Sequence, residues 1–108
     1  MVRQSSQSFT PLMRAAAVGH VGVVHELLEE GRLDVNERGP RDSTALMFAA
    51  GGGHTDVVRA LIKEGADVEA QEEGGWTALQ LAEEDGHYDI VTLLRGVTGS
   101  LNLRQQAY

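Results

Sequence analysis

Thr44-Ala45-Leu46-Met47-Phe48-Ala49-Ala50-Gly51-Gly52-Gly53-His54-Thr55-Asp56-Val57-Val58-Arg59-Ala60-Leu61-Ile62 decides the fold, because the same plan stands on both sides of it. Upstream it reads Thr10-Pro11-Leu12, then Gly19-His20, Val23-Val24 and Leu27-Leu28. Downstream it reads Thr77-Ala78-Leu79, then Gly86-His87, Ile90-Val91 and Leu93-Leu94. The threonines and the Gly-His pairs are 34 and then 33 residues apart. A fixed period of this size marks a stacked array, in which each unit buries its apolar face only against its neighbours.

Each unit predicts two helices. Thr10, Thr44 and Thr77 stand where a hydroxyl can accept from an orphan backbone N–H at a helix start. Pro11 suits the first helical position, and Thr77 with Gln80 has capping-box spacing. First helices are expected over about 11–18, 45–51 and 78–84, second helices over about 21–30, 55–64 and 88–95. Val23, Val24, Leu27 and Leu28 form one stripe on a 3.6-residue helix, as do Val57, Val58, Leu61 and Ile62. Ala15-Ala16, Ala49-Ala50 and Ala82 allow close approach between helices. Gly31, Gly65 and Gly96 are expected to end the second helices.

The composition narrows the functional classes. With 108 residues and three repeats, the array is about as short as one that stands alone. There is no cysteine, hence no disulfide framework and no thiolate metal site. No apolar run reaches the length of a membrane span or a signal peptide, so an intracellular, cytoplasmic or nuclear setting is the default expectation. The net charge of −7 is uneven: residues 1–43 carry five Lys/Arg against six Asp/Glu, residues 44–108 four against ten. Such a surface repels phosphate backbones, which disfavours nucleic acid. The plain expectation for the acidic excess is a solvated face that aids solubility, and the alternative is a field that steers a basic partner to the C-terminal half.

With more than ten positions recurring in register, the pattern resembles the ankyrin repeat from about Ser5 to about Val97. The resemblance implies an all-α ankyrin-repeat solenoid of three stacked helix-turn-helix repeats, joined by β-hairpin-like turns. The expected domain is 1–97, with repeats at about 5–38, 39–71 and 72–97, and 98–108 as a loosely ordered tail. The family's Thr-Pro-Leu-His has lost its histidine to Met13, Met47 and Gln80, which removes a local polar tie. Gly51-Gly52-Gly53 puts interior glycines at a helix end, each costing about 0.5–1 kcal/mol relative to alanine, so modest stability is expected. Glu83-Glu84-Asp85 gives the last repeat the polar character of an end cap.

Other chemistry fits poorly. His20, His54 and His87 recur once per repeat, so stacking holds them roughly 10 Å apart, too far to share a zinc ion. Glu29-Glu30, Glu72-Glu73 and Glu83-Glu84-Asp85 lack the alternating loop that calcium requires. They equally lack the facing, environment-tuned pair that glycoside hydrolysis requires. Gly51-Gly52-Gly53-His54 lacks the Gly-Lys-Ser/Thr ending of a phosphate loop. The expectation is therefore a non-enzyme with no metal and no cofactor.

Family geometry instead implies a concave surface made of hairpin tips and first helices, on which a protein or peptide binds. The residues so placed are Phe9, Ser43 and Trp76 before the capping threonines, and Arg38, Pro40, Arg41, Gln71 and Glu73 at the turns. Val18, Gly52, Glu84 and Asp85 join them at first-helix ends. Tryptophan and arginine are the types most enriched at binding hot spots. Asn36, in Asp34-Val35-Asn36, occupies the position that in some ankyrin proteins is hydroxylated by an oxygen-dependent asparaginyl hydroxylase; the plainer expectation is a turn asparagine bonding its own backbone. The function expected is a monomeric protein-binding scaffold, independent of membranes. The alternative is a regulatory or targeting module of a larger protein; Met1 and polar end caps favour an independent unit.

Overall fold

The computed structural model describes residues 9–106, with side chains from Phe9 to Val97. Among them are six α-helices in three consecutive pairs: α1 (Pro11–Val18) with α2 (Val21–Glu30), α3 (Ala45–Gly52) with α4 (Thr55–Lys63), and α5 (Ala78–Glu84) with α6 (Tyr88–Gln106). The first helices pack in the order α1, α3, α5 to make one layer, and α2, α4, α6 make the second. No strand occurs among the described residues. The all-α solenoid read from the repeat is the fold.

The threonine caps work as the sequence predicts. Thr10 Oγ1 accepts from Met13 N at 3.1 Å, Thr44 Oγ1 from Met47 N at 3.4 Å, and Thr77 Oγ1 from Gln80 N at 3.3 Å. Gln80 Oε1 accepts from Thr77 N at 3.0 Å and completes the capping box. In the middle repeat Met47 partly replaces the missing histidine, since its sulfur accepts from Thr44 N at 3.4 Å. Thioether sulfur is a weak acceptor, so the tie is reduced rather than absent.

Alanines Ala16, Ala49, Ala50 and Ala82 are fully buried between the layers, beside Val24, Val58, Leu61 and Ile90. Each large side chain removed from water in this way contributes roughly 1.5–3 kcal/mol. Repeat position decides how far the stripe is covered. Val57 is 1% exposed and its counterpart Ile90 0%, but Val23 is 41% exposed, because no repeat precedes it among the described residues. Among the described residues the second helix of the first repeat thus keeps part of its apolar stripe exposed.

Gly31 and Gly65 follow their helices with φ of 72° and 93°, the left-handed geometry expected of them. Gly96 does not stop α6, which runs through it to Gln106. Gly31 and Gly65 turn the chain into connectors that pack on the next repeat, whereas the described chain beyond Gly96 stays helical, and a glycine alone costs a helix only about 1 kcal/mol.

Candidate partner-binding groove

The ends of the first helices are fixed by histidines from the following repeat. His54 Nε2 lies 3.0 Å from the Ala17 carbonyl oxygen, and His87 Nε2 lies 3.0 Å from that of Gly51. With Nε2 protonated, each ring donates back across a repeat boundary to a carbonyl that the helix itself leaves unpaired. The rings also fill glycine space. A Cβ on Gly53 would come within 2.7 Å of the His87 ring, and one on Gly52 within 2.8 Å of the His54 ring. His20 is exposed, with no preceding repeat to reach among the described residues. For His54 and His87 the recurrence corresponds to a structural contact across the repeat boundary. Among the described residues no three His, Asp or Glu side chains gather where they could hold a metal ion.

The connectors are stitched together in the same manner. Arg41 (φ 56°, ψ 27°) and Asp42 (φ 64°) are both left-handed, and Ser43 N donates to Pro40 O at 3.1 Å. That is the type I′ turn of a tight hairpin, with Gly39 N donating to Ser43 O at 2.8 Å. Arg38 Nη1 then donates to Asp42 O and to Gln71 O, both at 2.8 Å. Glu73 N donates to Arg41 O at 2.9 Å. Asn36 does not spend its amide on its own turn: Nδ2 donates to Gly65 O at 3.2 Å and Oδ1 accepts from Asp67 N at 2.7 Å. The local Asx bond comes from Asp34, whose Oδ1 accepts from Asn36 N at 2.9 Å. Stacking puts each turn against its successor, which supplies the nearer unpaired groups.

Between the hairpin and the first helices runs an open groove. One part, of about 370 Å³, is lined by Arg41, Ser43, Met47, Phe48, Gly51, Gly52, Glu72, Leu81 and Asp85. A second recess, of about 240 Å³, is lined by Phe9, Arg14, Ala17 and Val18. The Phe9 and Phe48 rings, with centroids 4.9 Å apart and tilted by 45°, connect the two. The Arg14 guanidinium lies 6.0 Å from the Phe9 ring centroid. Gly51 keeps the floor low, since a Cβ there would meet nothing nearer than Leu81 Cβ at 4.0 Å.

Of the residues expected at a contact surface, Phe9, Val18, Arg41, Ser43, Gly52 and Asp85 line these recesses. Glu84 adjoins Asp85 at the same helix end and is exposed. The others serve the connectors. Arg38 spends its guanidinium internally, the Gln71 carbonyl receives it, and half-buried Pro40 opens the turn. Trp76 is 39% exposed and outside the groove lining; its backbone N–H donates to Glu72 Oε1 at 3.1 Å. Met47, Phe48, Gly51, Glu72 and Leu81 line the groove in addition to the residues that family geometry implies. A sequence signal for some of them exists, because positions that change between copies, such as Arg14, Phe48 and Leu81, are those that stacking does not constrain.

The other layer carries a recess of similar volume, about 370 Å³, lined by Val21, His25, Asp56, Arg59, Ala60 and Lys63. Its rim of long charged side chains can collapse over it. A family model for ankyrin repeats in three copies matches residues 12–104. The chain belongs to the ankyrin-repeat family. Ankyrin repeats generally mediate protein–protein interaction and are typically not enzymes. No curated protein matches the chain. Among the described residues no helix is long and apolar enough to cross a membrane.

Proposed function

We propose that this chain is a non-enzymatic scaffold that binds a protein or peptide, as a monomer and without a cofactor, in the groove over α1, α3 and α5. The observation that carries this reading is the groove itself, an apolar floor of Phe9, Phe48 and Leu81 walled by the hairpin of Arg41 and Ser43. Its walls are held by backbone hydrogen bonds and by buried helices, so little ordering entropy is lost on binding. Apolar anchors beside an arginine are the composition from which hot spots are built.

A substitution that fills the groove tests this. Gly51→Leu places a side chain in the open space and on a helix that accepts leucine. Gly22→Leu makes the same change on α2, where a Cβ also meets nothing within 4 Å. Gly51→Leu should abolish partner capture while Gly22→Leu leaves it intact. Equal capture by both would refute the groove as the binding surface.

A further inference from the structure

Charge along the groove is polarised. At the first-repeat end stands Arg14, over the Phe9 ring. At the third-repeat end, Asp85 lines the groove, with Glu84 beside it and Glu73 on the adjoining turn, all exposed. The nearby cations are committed elsewhere. Arg95 Nη2 lies 2.7 Å from Glu83 Oε2, Arg41 Nη2 lies 3.7 Å from Glu72 Oε2, and Arg38 bonds two backbone carbonyls. Glu73, Glu84 and Asp85 are left with no basic side chain within ion-pair distance among the described residues.

Resting on the groove reading above, we propose that the occupant is a basic peptide segment. Its apolar side chain lies on the floor between Phe48 and Leu81, and its lysine or arginine lies over Asp85 and Glu84. The arrangement also fixes polarity: the basic end of the peptide sits on the third repeat, and Arg14 excludes a second cation from the first-repeat end. An acidic peptide would meet like charge at the rim and be repelled, which is how rim charges select partners. Gly51 and Gly52, without side chains, let the peptide backbone come down to the floor.

Selection from a library of short random peptides tests this, with wild type, the charge-neutralised Glu84→Gln/Asp85→Asn variant and Gly51→Leu compared. Wild type should enrich peptides that combine Lys or Arg with Leu, Phe or Met. The neutralised variant should keep the apolar preference, lose the basic one, and bind a selected peptide about 3- to 20-fold more weakly at low salt, as befits two exposed pairs. Enrichment without basic bias, or an identical bias in the neutralised variant, would overturn the basic-peptide inference; if Gly51→Leu still blocked that binding, the groove reading would stand. Peptides that Gly51→Leu captures as well as wild type does would sink both. Both neutralised positions are exposed, and matching urea midpoints would show that the variant folds.

Discussion

His87 reaches back to Gly51: its Nε2 stands 3.0 Å from that carbonyl oxygen, and its ring occupies the space that a Cβ on Gly53 would need. His54 has the same relation to Ala17 and Gly19. Each ring joins two repeats by one hydrogen bond and one close packing contact. His54→Ala and His87→Ala should each cost about 1–2 kcal/mol, because a half-buried carbonyl loses its partner and a gap opens. His20→Ala, at the equivalent but exposed place, should change stability by less than about 0.5 kcal/mol. Urea unfolding followed by circular dichroism separates the three; equal losses would mean that the rings act within their own repeats.

The three consecutive glycines carry three different consequences. Gly53 has φ 80° with His87 against it, and Gly52 has His54 against it, so alanine at either should destabilise by more than about 1 kcal/mol. Gly51 is free on all sides within 4 Å except for Leu81 Cβ at 4.0 Å. Gly51→Ala should therefore stabilise by about 0.5–1 kcal/mol through helix propensity alone. Thermal melts of the three single variants read the sign directly.

Thr10, Thr44 and Thr77 disclose the helix starts in the sequence, because a cap is a local interaction between residues three apart. The buried stripes are equally legible, since a 3.6-residue period is local too. What the sequence conceals is contact between repeats. Gly51-Gly52-Gly53 reads as three costs, although two of these glycines make room for the histidines of their own and the next repeat. Asn36 reads as a self-contained turn although it bonds Gly65 and Asp67. Phe48 and Leu81 are silent for the same reason when each copy is read alone, as a groove floor is assembled only when the copies stand side by side. Gly96 misleads in the opposite sense: a glycine permits a helix stop without imposing one, and α6 continues through it.

Asn36→Ala should cost about 1–2 kcal/mol, because the Gly65 carbonyl and the Asp67 amide lose their side-chain partners together. Asn36→Asp keeps the acceptor toward Asp67 N but turns the donor into an oxygen facing the Gly65 carbonyl, and should cost at least as much. Guanidinium unfolding midpoints test this.

Stability and binding should part company at Arg41. Its left-handed backbone costs a non-glycine residue about 1–2 kcal/mol, and Arg41→Gly releases that cost. The substitution also removes the ion pair with Glu72 at 3.7 Å, in which the arginine is 69% exposed; such surface pairs contribute about 0–1 kcal/mol. The turn itself is kept, because glycine suits both central positions of a type I′ turn. The net expectation is a gain of up to about 1 kcal/mol in a urea titration. Arg41 also walls the groove beside Ser43, so a peptide bound there should lose the contact area of that side chain and with it affinity for the more stable variant. That loss should exceed what the weakly paired Glu72 carboxylate returns to a basic peptide. A drop in both stability and affinity would mean that Arg41 is held by packing and not by strain; a gain in stability with unchanged affinity would place the bound peptide away from the hairpin wall.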